Sequence, residues 1–352
     1  MIGGVELTMR NAALALSNRN HRITVVAPAG SHLDNATMVQ VQGALQPSAQ
    51  HLERSAPMSL PPDAVLANMW EAVRVLQSEH CLIVNFAYDW LPFYLTSFLH
   101  VPVAHLVSMA SLLDGMDDMI ERVALARPDS IAMHTRAQAE TFRFAAQCRI
   151  IGNGIDLALY QFNPTPESRL VWLGRIAPEK GLEDALAAAE ATGLPIDILG
   201  IIEDSAYWQR LRQEYPNAPL HYHGFQETPA MVEILRRGQA LLMTPKWTEA
   251  FGNVVMESLA CGVPVVAYRR GGPSEMIEDG RTGFLVEPDS VDALVEAIGR
   301  VPAIDRQACR TQAERSFSLE AFGARLEHWF AGLITRANMQ PDPNDDVQPA
   351  VC

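Results

Sequence analysis

The sequence predicts an α/β protein of two successive units, each an open parallel sheet wrapped by helices. Three observations carry that expectation. Short apolar runs alternate with amphipathic helical patterns along most of the 352 residues, the mark of strands joined by helical crossovers. The alternation breaks once, at the polar, turn-rich stretch Asn153-Gly154-Ile155-Asp156 followed by Pro164 and Pro166, and then restarts. The length suits two domains of ordinary size, and 48% hydrophobic against 19% charged residues supplies apolar material for two cores.

In order along the first unit, residues 6–17, 64–77 and 136–146 read as helices. Residues 23–27 (ITVVA), 82–86 (LIVNF), 103–107 and 130–133 read as strands, being short apolar runs between those helical patterns. In the second unit, 170–173, 196–199, 220–223, 239–244 and 263–267 read as strands, alternating with helices over 182–191, 207–214, 231–236 and 254–260. An amphipathic pattern over 319–334 closes the series, and the stretch from Gln340 is acidic and proline-rich. The expected divisions are therefore 1–157, 165–318, a helix at 319–336 docking back on the first domain, and a disordered tail at 338–352. Paired open sheets of this type leave a ligand cleft at the carboxyl ends of their strands.

Composition excludes several classes. A net charge of −14 argues against nucleic acid and against anionic membrane surfaces. No apolar run reaches the roughly 18–20 residues of a membrane span, and no signal-peptide pattern opens the chain. Five scattered cysteines without a CxxC pair read as reduced thiols of a cytoplasmic protein. There is no Ser-His-Asp order, HExxH, Walker sequence or GxGxxG, so hydrolase, zinc-protease and nicotinamide chemistry are disfavoured, and no metal or cofactor is expected.

The richest block is Met243 to Glu257, MTPKWTEAFGNVVME. It reads as the end of a buried strand, a loop through Phe251-Gly252-Asn253, and a helix start at Val254. Free backbone N–H groups and the positive end of the helix dipole there suit phosphate oxygens. Glu249 lies in the loop, and Glu257 about one turn into the helix, where a carboxylate can accept from two hydroxyls. Phosphates flanked by hydroxyl pairs describe a nucleotide-sugar.

A second loop, GRIAPEKG from Gly174, follows the strand at 170–173. Its Arg175 offers a planar fork and Lys180 a point charge to a diphosphate. Gly271-Gly272-Pro273-Ser274-Glu275 is either a third anion-receiving loop or a tight turn with a helix start. Gly280-Arg281-Thr282-Gly283 reads as a hairpin turn. Near the N-terminus, Gly4 allows close backbone approach to a ligand or is simply a flexible end. Tyr88, Asp89 and Trp90 stand in an aromatic cluster after the strand at 82–86, as core or as a platform for a flat acceptor.

Taken together, these residues resemble the family-4 retaining glycosyltransferases of GT-B architecture. The likeness covers about residues 3–335 and is strongest where GRIAPEKG, TEAFGNVVMESLACGVPVV and GGPSEMIEDGRTGFLVEP occur in order. It implies two Rossmann-like domains facing across a cleft and a UDP-sugar donor. Arg175 and Lys180 would hold the diphosphate, with Gly174 in the same loop. The backbone of Gly252, Asn253 and Val254 after Phe251 would cap the phosphates. Glu257 would bind the ribose, Glu249 the transferred sugar, and Phe225 would lie near the base. The leaving diphosphate would take the acceptor's proton, so no protein nucleophile is needed.

Two departures from the family pattern follow. A strand and loop should precede the Gly-Gly pair, so the first N-terminal strand is missing. Ser108 stands where many relatives carry a His, with His105 three residues earlier and facing into the sheet. The segment YDWLPFY and the compact first domain look like the cyanobacterial UDP-glucose:tetrahydrobiopterin glucosyltransferases. An acceptor pocket of Tyr88, Asp89, Trp90 and Asp114 suits a reduced pterin or another small soluble acceptor. The competing reading is a non-catalytic nucleotide-sugar-binding protein derived from the same family. A nucleotide-sugar epimerase would need an acid/base set that these residues do not supply.

Overall fold

The computed structural model describes residues 4–46 and 52–339. The expected tail from Gln340 lies outside those residues. The chain divides into two compact units. One takes the chain up to Gly152 together with the chain from Leu319, and the other is Asn153–Ser318.

The first unit runs α1 (Gly4–Ser17), β1 (Thr24–Pro28), β2 (Thr37–Val41), α2 (Val65–Leu76), β3 (Ile83–Asn85), α3 (Trp90–Leu95), β4 (Val103–Val107), α4 (Asp114–Ala126), β5 (Ile131–Met133), α5 (Arg136–Ala139) and β6 (Arg149–Ile150). A long helix, α13 (Leu319–Met339), belongs to it as well. Ala12, Ala15 and Leu16 of α1 share one core with Phe322, Leu326, Trp329, Phe330 and Leu333 of α13. The small residues let the helices close up: a Cβ on Gly323 would sit 3.4 Å from the Ala15 Cβ and 2.7 Å from Arg19 Cδ.

All strand pairs in this unit are parallel, but they form two sheets, β1-β2 and β3-β4-β5-β6. A doubly wound sheet orders its strands 3-2-1-4-5-6. The free edges of β1 and β3 have no strand partner among the described residues.

The second unit runs β7 (Leu170–Leu173), α6 (Leu182–Thr192), β8 (Ile196–Leu199), α7 (Ser205–Glu214), β9 (Leu220–Gly224), α8 (Thr228–Leu235), β10 (Ala240–Met243), α9 (Asn253–Ala260), β11 (Val265–Tyr268), α10 (Pro273–Met276), β12 (Gly283–Val286), α11 (Val291–Arg300) and α12 (Arg306–Phe317). Its six parallel strands are ordered β12-β11-β10-β7-β8-β9, the complete doubly wound order. Strands β8, β10 and β11 are buried at every residue, as expected where helices cover both faces. The order reverses between β7 and β10, so the loops leaving those two strands flank the topological switch point.

Some local expectations are corrected. The helix expected over 136–146 stops at Ala139, because Phe142 and Phe144 turn into the core beneath α4 instead of continuing it. The turn at 280–283 closes no hairpin; it feeds β12, which runs parallel to β11. Cys81 is disulfide-bonded, while Cys148, Cys261 and Cys309 are free thiols. This corrects the expectation of reduced thiols throughout; an isolated cysteine carries no spacing signal of a disulfide. No helix among the described residues is long and apolar enough to cross a membrane.

Candidate functional site

The loop after β7 (174–181) and the loop after β10 (244–252) are stitched together. Thr244 Oγ1 donates to the Gly181 carbonyl at 2.7 Å, and Lys246 N donates to the Glu179 carbonyl at 2.9 Å. Gly181 has φ +66°, and a Cβ there would collide with the Thr244 carbonyl, so only glycine serves. Gly181→Ala is expected to lower stability by about 2 kcal/mol, through left-handed strain and that collision, measured as a shift in the urea midpoint.

The third loop, Gly271-Gly272, braces the second. Gly272 N donates to the Glu249 carbonyl at 2.7 Å, and Gly271 at φ +67° lies against the Glu249 backbone. The motif forms a tight turn into α10, a buttress for the loop carrying Glu249. Lys246 pairs with Asp184 and, at 3.0 Å, with Asp289; Arg270 donates to the Pro245 carbonyl at 2.7 Å and pairs with Asp289 at 2.6 Å. The loop carrying Glu249 is thus fixed on several sides.

Within this frame two predicted residues, Lys180 and Glu249, meet. Lys180 Nζ lies 2.5 Å from Glu249 Oε2, and Trp247 Nε1 donates to the same oxygen at 3.1 Å. The ammonium also sits 4.8 Å from the centre of the Trp247 ring, a cation–π contact. Burial would push the Glu249 carboxyl up, but Lys180 outweighs it, helped by Trp247 and Arg175, and the group stays below the ordinary carboxylate range. Arg175 is paired with Glu203 and, at 3.0 Å, with Glu179. A diphosphate would have to draw that guanidinium from one of the two.

Gly252, at φ +93°, caps α9 without any side-chain hydrogen bond. The first-turn amides of Asn253 and Val254 are therefore not taken by a capping side chain, which is what an anion at a helix N-terminus needs. Asn253 Oδ1 accepts from Asn153 Nδ2 at 3.0 Å. Phe251 is buried and packs edge-on to Phe317, 6.4 Å between centroids. Its side chain belongs to the core. Glu257 is 7% exposed and accepts from the Tyr160 hydroxyl at 2.9 Å. Burial pushes its carboxyl up to about 7, against the opposing pull of Tyr160. Gly174 lies against the Trp172 ring, and Phe225, beyond β9, is 47% exposed.

The first unit carries the remaining predicted residues. Gly4 opens α1. Asp89 caps α3, accepting from Leu91 N at 3.0 Å with one oxygen and from Gln46 at 2.9 Å with the other. Trp90 stacks on Tyr94 at 4.6 Å, and Tyr88 packs against the core under α4. Asp114, at the start of α4, pairs with Arg54 at 2.8 Å. Ser108, just past β4, lies 3.1 Å from His134 Nε2, while His134 Nδ1 lies 2.8 Å from the Gly152 carbonyl. The carbonyl requires the proton on Nδ1, so Ser108 donates to a neutral ring, and burial keeps that ring neutral by lowering it to about 4. His105 is fully buried between Asn85, Thr96 and the Phe93 ring.

Sequence reasoning passed over Trp247, Glu203, Tyr160, Asn153 and His134. Trp247 lay inside the quoted block. The others are remote in sequence from their partners, and only the fold brings them near.

Two family models match the chain: Glycosyltransferase Family 4 over residues 2–159 and Glycosyl transferases group 1 over residues 161–315. A glycogen synthase of Mycobacterium tuberculosis is 30% identical over 184 residues, 48% of this chain and 44% of that protein. The sulfoquinovosyl transferase SQD2 of Arabidopsis thaliana is 30% identical over 237 residues, 64% of this chain and 44% of that protein. Each match thus spans less than half the relative's length. Among solved structures, Anabaena Alr3699/HepE in complex with UDP and glucose superposes with TM-score 0.76 at 17% identity, covering 94% of this chain and 97% of that one. That likeness establishes the GT-B fold. With one model on each half of the chain and a fold to match, the chain belongs to the group 1 and family 4 glycosyltransferases.

Proposed function

We propose that the protein transfers a hexose, glucose from UDP-glucose, to a small soluble acceptor with retention of configuration. The observation that carries this reading is the cluster of Lys180, Glu249 and Trp247 at the sheet's switch point, in the loops that flank an uncapped helix N-terminus. It combines a cation for a leaving diphosphate, a carboxylate for sugar hydroxyls and amides for phosphate oxygens. Glu257 binds the ribose hydroxyls, Arg175 shares the diphosphate charge, and the loop at Phe225 receives the base.

In the reaction the bond from the sugar's anomeric carbon to the diphosphate oxygen breaks. The acceptor oxygen bonds to that carbon on the same face, and its proton passes to the departing phosphate oxygen. Arg175, Lys180 and the α9 amides stabilise the charge that develops. On the first unit Tyr88, Trp90 and Ser108 are the acceptor residues, with Asp89 holding the turn between them. A reduced pterin is the first acceptor to test.

The experiment is NMR of UDP-glucose with the protein, with and without a reduced pterin. Release of UDP and an α-linked product supports the proposal. A second reading, a binding protein without turnover, is favoured by the split sheet of the first unit; it predicts UDP-glucose binding and no product with any acceptor.

A further inference from the structure

On the first unit, α13, β6 and the turn before β5 enclose a groove of about 740 Å3. Its lining includes Arg149, Arg325, His328 and Arg336 against one carboxylate, Asp129. That balance runs against a chain with 27 Lys and Arg to 41 Asp and Glu. The donor loops of the second unit use none of these residues.

Asp129 shows how the groove handles an anion. One of its oxygens accepts from Arg149 Nε at 2.7 Å, and the other pairs with Arg336. The Arg149 and Arg336 side chains remain 52% and 54% exposed, and each guanidinium has five N–H donors, more than these bonds use. Asp129 is held in place by its backbone. Its carbonyl accepts from Trp329 Nε1 at 2.6 Å, and its φ is +69°. Arg325 is half-buried along the Phe322 ring and donates to the Ile151 carbonyl at 2.7 Å.

We propose that this groove is an anion site for a phosphate-bearing ligand, bridged between Arg149 and Arg336, with Arg325 and His328 completing its lining. Two planar forks spaced to share one carboxylate match the oxygens of a phosphate group. Asp129 is then the built-in competitor, because it occupies part of the donor set the ligand needs.

The test is calorimetric titration of the full chain with inorganic pyrophosphate. Arg175→Ala and Lys180→Ala are combined as background, so that the loops of the second unit stay silent. Saturable binding is expected to persist there and to weaken by about ten-fold or more with Arg149→Gln and Arg336→Gln. Asp129→Asn is expected to tighten it several-fold, since asparagine keeps the left-handed backbone while removing the competing charge. That gain is a readout a purely structural salt bridge would not give, and it decides the matter if the arginine variant folds poorly. No saturable binding, or affinity indifferent to all three changes, overturns the site. Phosphatidylglycerol vesicles distinguish the source. Cosedimentation lost with Arg149→Gln and Arg336→Gln assigns the phosphate to a lipid headgroup. Pyrophosphate binding without cosedimentation assigns it to a free phosphorylated molecule.

Discussion

Replacing Lys180 with alanine is expected to lower turnover on UDP-glucose by about 10²–10³-fold, the usual cost of one preorganised charge at a developing anion. The Michaelis constant should move much less, because Arg175 still meets the ground-state diphosphate. The geometry adds a second signature. Lys180 is the main group holding Glu249 ionised, at 2.5 Å. Its removal leaves a largely buried carboxylate without its cation, so the melting temperature should fall as well. Adding Glu249→Gln should restore the melting temperature and leave turnover low. Steady-state kinetics and thermal melts of the two variants check both. Turnover of Lys180→Ala within two-fold of the parent would remove Lys180 from the mechanism.

Glu257→Gln is expected to move stability and donor affinity in opposite directions. The carboxyl titrates near 7 in the fold because burial disfavours its charge, against about 4.3 in an unfolded chain. Between those values the native state binds one more proton than the unfolded state, so stability falls as pH rises through that window. The full difference is about 4 kcal/mol. Glutamine cannot ionise, so the variant should lose this slope and be the more stable protein at pH 8. The ionised carboxylate is also the form that accepts from two ribose hydroxyls. Parent affinity for UDP should therefore rise from pH 6 to pH 8. The variant should bind about 1–3 kcal/mol more weakly at pH 8. Urea unfolding and UDP titration at the two pH values read both effects. A variant less stable than the parent at pH 8 would mean Glu257 is ionised and satisfied in the fold.

The second unit was more legible in the sequence than the first, for a physical reason. Its strands are short apolar runs covered on both faces, and its functional loops sit directly on their carboxyl ends, so GRIAPEKG and TEAFGNVVME carry strand, turn and helix start together. Arg175, Lys180 and Glu249 could be placed on one sheet end from order alone. Glu203, Tyr160 and Asn153, the partners of Arg175, Glu257 and Asn253, could not, because they arrive from other loops through the packing of β8, α9 and the segment before β7. In the first unit β2 and β6 escaped notice: β2 is exposed or half-buried and β6 exposed at both residues, so neither has an apolar signature. Asp89 illustrates a different limit. An acidic residue between aromatics carries no cap signature of its own, and its bonds to Leu91 N and Gln46, which make it the N-cap of α3, appear only in the fold.

The chain leaves the first unit at Gly152 and re-enters it at Leu319, with Ile155 and Ser318 paired beside the crossing. One consequence concerns the order of events at the ribosome. Domains usually fold as they emerge, the N-terminal one first, but here α1 must wait for α13, the last described element, to cover Ala12, Ala15 and Leu16. The second unit is continuous and can close while the first is still open. A released chain truncated after Ser318 should therefore protect the second unit from protease while α1 remains cleavable.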